Sequence, residues 1–150
     1  MQWIKEIATG LIETYGTKDV EELLDYLEVI IIPKTFINPT VKARLYKDEL
    51  EVYHIDISSK LDEITRKHVL CHELGHILLH ETSTHTYYSA NVNKGQMELQ
   101  ANYFASLLLV DPSSFDKCYL ENLTIDQLSA YFEVPKELLQ FTLDEMLKEC

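Results

Sequence analysis

Apolar residues recur at helical spacing from the first turn of the chain. Trp3, Ile4, Ile7, Leu11 and Ile12 share a face, and Lys5, Glu6 and Glu13 fall between them. This predicts an amphipathic helix over 1–15 rather than a secretory leader, which needs an unbroken apolar stretch after basic residues. Asp19 stands where it can cap a second helix running through Leu23, Leu24 and Leu27. Val29 to Ile32 is a β-branched run ended by Pro33, which predicts a short strand. Asn38-Pro39 marks a turn. Val41 to Tyr46 and Leu50 to Ile57 then flank Lys47-Asp48-Glu49, the pattern of a β-hairpin. Alternation in the second arm is clear only at its end, so one face of that arm is expected to be half-buried.

Beyond residue 58 the period becomes helical. Ser59 is the expected cap, with Asp62 and Glu63 favoured near the positive N-terminus of a helix that runs to about His80. Residues 81–93 are polar, contain Tyr87 and Tyr88, and read as a loop. Asn93-Lys94-Gly95-Gln96 has capping-box spacing before a helix over Met97 to Val110. Asp111-Pro112 is a cap and N1 proline for a short helix, and Thr124-Ile125-Asp126-Gln127 is a second capping box. Pro135 opens a last helix toward Lys148. The fold class is α+β: one mostly helical domain over 1–150 with a small antiparallel sheet, residues 112–150 forming a C-terminal helical subregion.

Composition narrows the function. The chain has 150 residues, 46% of them hydrophobic, enough for one domain with a core. Its 25 acidic and 13 basic residues leave a net charge of −12, which argues against direct nucleic-acid binding and against docking on anionic membranes. No apolar run approaches the roughly 20 residues that cross a bilayer. Cys71, Cys118 and Cys150 are odd in number and show no CxxC spacing. They read as free thiols of a reducing, cytoplasmic compartment, with Cys71 a packing residue. The helix, turn and helix over Thr124 to Leu143 have a helix-turn-helix layout. Residues 94–150 carry a net charge of −6, however, so a protein contact or a plain helical cap fits better than DNA-groove binding.

Histidines at 68, 72, 76 and 80 recur every fourth residue. Each four-residue step advances about 400°, so neighbours stack on nearly one face, and three adjacent pairs could share a metal. Only His72-Glu73-Leu74-Gly75-His76 also has a carboxylate directly after the first histidine. In this HExxH pattern two imidazoles can hold Zn²⁺ while the glutamate serves the metal-bound water as general base. Val69, Leu70, Cys71, Leu74, Ile77, Leu78 and Leu79 make the helix apolar nearly all round, so much of it should be buried. Histidines and a glutamate buried there need partners, and a metal supplies one. Gly75 costs about 1 kcal/mol against alanine inside a helix, so a close packing neighbour is expected. A catalytic zinc takes three protein ligands, and the next helix offers Glu98 above a small face of Ala101 and Ala105.

HELGHILLH at 72–80 followed by ELQANYFASLLL at 98–109 resembles the ImmA/IrrE family of metallopeptidases. The layout is similar over roughly residues 20 to 135, including the hairpin, the Ile55-Asp56-Ile57 strand and the capped helix. The resemblance implies a zincin-like fold with one Zn²⁺ per chain held by His72, His76 and Glu98, and Glu73 as general base. It also implies an endopeptidase that inactivates a helix-turn-helix repressor of a phage or mobile element. The chain departs from the family at Leu109-Val110-Asp111-Pro112, where Met-Pro commonly follows the leucines.

Several residues have supporting roles to fill. Asn102, one turn after Glu98, could orient a ligand or bond between helices. His80 drifts by about 40° from His76, which suits support of the site better than a fourth metal bond. His68 is expected to be solvated. Tyr87, Tyr88, His85 and Tyr103 are candidates for stabilising an oxyanion, and the sequence does not choose among them. The strand near His54 to Ile57 could pair with an extended substrate or be structural. A zinc-bearing module that captures a repressor without cutting it is the alternative function, and a DNA-binding regulator is the weaker third. The acidic surface suits a basic protein substrate.

Overall fold

A computed structural model describes residues 2–80, 94–110 and 122–148. The amphipathic pattern at the start forms α1 (Gln2–Tyr15), which buries Ile4, Ala8 and Leu11. Asp19 caps α2 (Val20–Tyr26) as expected, its side chain accepting from the Glu22 amide. Three strands follow: β1 (Ile30–Lys34), β2 (Ala43–Lys47) and β3 (Tyr53–Ser58). The helices α3 (Glu63–Leu79), α4 (Lys94–Leu109), α5 (Ile125–Phe132) and α6 (Lys136–Lys148) complete the described elements. The short helix expected at Asp111-Pro112 and the loop over 81–93 lie outside the described residues, as do Cys118 and Cys150.

The sheet is mixed, in the order β1-β3-β2. The expected hairpin is present and antiparallel, with Leu45 opposite Ile55. Its loop is longer than Lys47-Asp48-Glu49, because the Asp48 carboxylate accepts from the Leu50 and Val52 amides and Glu51 turns the chain at a φ of 63°. β1 adds on the other side of β3 in parallel, with Ile31 opposite Ile55. Pro33 does not end β1; it sits opposite Ile57 inside it. An edge strand tolerates proline because a missing amide there costs no ladder bond. The central strand is buried on both faces rather than one. Ile55 and Ile57 are fully buried in the core, and Asp56, 1% exposed, pairs with Lys34 Nζ at 3.1 Å.

The cap of α3 also differs in detail. Asp62 accepts from the Thr65 amide at 2.7 Å, and Ser59 instead ties the strand exit together by donating its amide to the Lys34 carbonyl. α3 and α4 form the most extensive helix pair. Their apolar faces join α1, α2, Leu45, Ile55 and Ile57 in one core. Thr124 and Gln127 complete a reciprocal capping box at the start of α5. Val110, Leu128, Val134 and Leu139 form a smaller cluster, while Leu138 of α6 enters the main core and fastens the C-terminal helices to it. No helix among the described residues is long and apolar enough to cross a membrane.

Candidate metal centre

His72 and His76 lie one turn apart on α3, and the helix buries Val69, Leu70, Cys71, Leu74 and Gly75 around them. A Cβ added at Gly75 would meet the Ala101 carbonyl oxygen at 3.1 Å and the Phe104 ring at 3.2 Å. Glycine is therefore what lets α4 come this close. Glu98 and Asn102 flank Ala101 on α4, so the same contact carries both toward the histidines.

The Glu98 carboxylate reaches both imidazoles. Its Oε2 is 3.0 Å from His72 Nε2 and its Oε1 is 3.0 Å from His76 Nε2. The two Nε2 atoms are themselves 3.1 Å apart. One ligand atom from each residue lies within 4.8 Å of the others, a group that could hold a metal ion. A four-coordinate cation with arms of about 2.0–2.1 Å needs donor atoms roughly 3.3 Å apart, so the observed spacing fits. Electrostatics agree. Burial opposes charging of His72, but Glu98, Glu73 and Asn102 together outweigh it and the imidazole is held above its ordinary pKa. Hydrogen bonds from His72 and His76 hold Glu98 well below the usual carboxylate range. Both shifts describe a cluster that stabilises positive charge at its centre.

Glu73 points to a different chemistry. Burial pushes its pKa up, against the opposing influence of His72 and His76. A carboxylate raised in this way holds a proton more readily, which suits proton transfer.

The surrounding residues sort clearly. Asn102 Oδ1 lies 2.7 Å from His72 Nδ1. His80 Nδ1 lies 3.0 Å from His76 Nδ1, and its Nε2 is 2.8 Å from Gln100 Oε1. Nothing in the sequence marks Gln100. Helical geometry turns it about 200° from Glu98, and only its long side chain brings it to His80. His68 is not solvated: it is half-buried, its Nε2 lacks a partner, and burial, followed by the charge of His72, lowers its pKa to about 4. Tyr103 is a core residue, 2% exposed and edge-to-face with Phe141. Tyr87, Tyr88 and His85 lie outside the described residues. β3 has partners along both edges, so its backbone cannot receive a substrate strand.

A peptidase family model, M78, described as the IrrE N-terminal-like domain, matches residues 24–144. The chain belongs to this family. It is 28% identical over 148 residues to the metallopeptidase ImmA of Bacillus subtilis strain 168, covering 95% of this chain and 85% of that protein. It is also 28% identical over 137 residues to uncharacterized immunity region protein 2 of Bacillus phage phi105, covering 90% of this chain and 85% of that protein. No solved structure matches it. An IrrE-like metallopeptidase family implies a divalent metal, and His72, His76 and Glu98 form a group suited to one.

Proposed function

We propose that this IrrE-like protein is a zinc-dependent, site-specific endopeptidase whose substrate is a helix-turn-helix repressor of a phage or mobile element. The observation that carries the reading is the convergence of His72 Nε2, His76 Nε2 and the Glu98 carboxylate, with the half-buried Glu73 next to His72 in the chain and under the electrostatic influence of all three. Two imidazoles and one carboxylate are the donor set of a hydrolytic zinc site with a position left open. When bound, zinc polarises the scissile carbonyl and makes water acidic near neutral pH.

The chain's own residues do the rest. Glu73 takes the proton of the attacking water on its carboxylate, holds it, and passes it to the departing amine nitrogen. The pKa raised by burial favours the holding step. Asn102, through its contact with His72 Nδ1, keeps that ring turned toward the site. The net charge of −12 favours a basic substrate such as the DNA-reading face of a repressor, so cleavage should weaken as salt rises. The likeness to a phage immunity-region protein supports a repressor as the target.

The test incubates wild type and Glu73→Gln with the repressor encoded beside the gene and reads fragments by mass spectrometry. Wild type should cut at one position, and Glu73→Gln should retain zinc and cut nothing. Repressor inactivated without fragments, equally by both proteins, would overturn proteolysis in favour of capture by a zinc-bearing binding module.

A further inference from the structure

We propose that the outer face of the sheet is a self-association surface, which receives the outer face of α2 from a second copy of this chain. Neither patch includes a residue of the metal centre, so self-association goes beyond the proteolytic reading and stands without it.

Side chains alternate along a strand, so the register fixes which of them face away from the core. Leu45, Ile55 and Ile57 lie in the core. The other face therefore carries Ile30 and Ile32 from β1, His54 and Asp56 from β3, and Arg44 and Tyr46 from β2. Ile30 and Ile32 remain 43% and 37% exposed. The Arg44 guanidinium lies over the Tyr46 ring at 5.3 Å, and that ring stacks on His54 at 4.8 Å. Lys34 reaches Asp56 Oδ2 and is still half-exposed. The second Asp56 oxygen, Oδ1, is buried with no partner, and so is His54 Nδ1. Unpaired buried polar atoms are rare and costly, and Asp56 Oδ1 can still accept from a donor that a partner brings.

Charge selects the partner. The chain carries a net −12, yet residues 34–47 hold Lys34, Lys42, Arg44 and Lys47 and no acidic residue. Cations beside exposed isoleucines fit a surface that is acidic and partly apolar. The chain itself supplies one. Residues 19–28 hold five acidic residues and no basic one. On α2, Glu22, Asp25 and Tyr26 are spaced i, i+3 and i+4, and share the face turned away from the buried Val20, Leu23 and Leu24. All three are exposed, Tyr26 by 57%, and the Tyr26 hydroxyl is a donor.

Two sheet faces would repel each other, as would two α2 faces, so only the unlike pairing is favourable. Such a contact is heterologous, and assembly grows past the dimer unless its geometry closes. Moderate salt favours it. At about 0.15 M, charges are screened beyond roughly 8 Å, so repulsion spread over two acidic chains fades while contacts at ion-pair distance survive. At about 1 M the screening length falls to about 3 Å and those contacts weaken as well.

The test is sedimentation velocity of the full chain across a range of concentrations, with folding followed by circular dichroism. At about 0.15 M salt the mass should rise above the 17.5 kDa monomer, and at about 1 M it should return toward it. Arg44→Glu alone, and Glu22→Lys with Asp25→Lys, should each weaken association by about tenfold or more. Mixing these two proteins should restore it, because each reversed patch then meets its opposite.

A wild type that stays monomeric at every concentration would overturn self-association and leave the face to an acidic segment of another protein. Association that survives both reversals, or a mixture of folded variants that stays monomeric, would overturn this pairing of faces. If Arg44→Glu does not fold, Arg44→Gln takes its place, and unchanged association in that variant would overturn the pairing too.

Discussion

Gly75 and Ala101 touch through their backbones: a Cβ on Gly75 would lie 3.1 Å from the Ala101 carbonyl oxygen and 3.2 Å from its Cα. Gly75 immediately precedes His76, and Ala101 immediately precedes Asn102. A close approach of the two helices therefore falls inside the candidate site. It sets the distance across which Glu98 meets both histidines.

Gly75→Ala should destabilise the protein. Alanine gains about 1 kcal/mol of helix propensity. Overpacking a tight contact costs about 1–3 kcal/mol. Two of the three nearest atoms belong to the Ala101 backbone and cannot rotate away, so the strain should win, by up to about 2 kcal/mol net. Denaturant unfolding is the measurement, and zinc affinity should fall with it as α4 is pushed back. A Gly75→Ala protein more stable than wild type would show that the helices are free to separate.

Metal removal should lower the melting temperature. Zinc at 1,000 times its Kd would stabilise the native state by about 4 kcal/mol. Wild type and Glu73→Gln should lose that increment on chelation. His72→Ala should start near the chelated value and respond little. Identical melting curves with and without chelator in wild type would contradict the site.

Acid should reveal His68. Its pKa is about 4 in the folded chain against an ordinary 6.5, so between these values the unfolded chain binds more protons. Stability from this group is complete above pH 6.5 and is lost as pH falls toward 4. His68→Leu should flatten that part of the stability curve relative to wild type, both measured with chelator so that only His68 differs between them. Parallel curves would mean that His68 is solvated after all.

Cys71 should be inert in the native protein. It is fully buried, and burial pushes its thiol pKa to about 12. Iodoacetamide at pH 8 should leave it unmodified until the chain is unfolded, as read by mass at that residue. Rapid native alkylation would place local opening of α3 within easy reach.

Much of the local structure was legible because its causes are local. Asp19 and the Thr124-Gln127 box each act within one turn, and both helices start where those residues stand. The histidine pair was legible for the same reason, since residues four apart on a helix must stack. Signals that depend on neighbours mislead. Pro33 looks like a strand end until the strand is known to be an edge. Ser59 looks like a cap until its amide is seen to bond Lys34. His68 looks solvated until the fold half-buries it and leaves its Nε2 without a partner.

The sequence by itself determined the helix that carries HExxH, the helix that carries Glu98, and the balance of charge. All three follow from periodicity and composition. Only the tertiary structure decided that Glu98 bridges both imidazoles, that β3 is the central strand with no open edge, and that Gln100 reaches His80. The reason is one of range. Periodicity orders side chains around a single axis, whereas a relation between two axes depends on how closely they pack. Here that closeness comes from the side chain that Gly75 does not have.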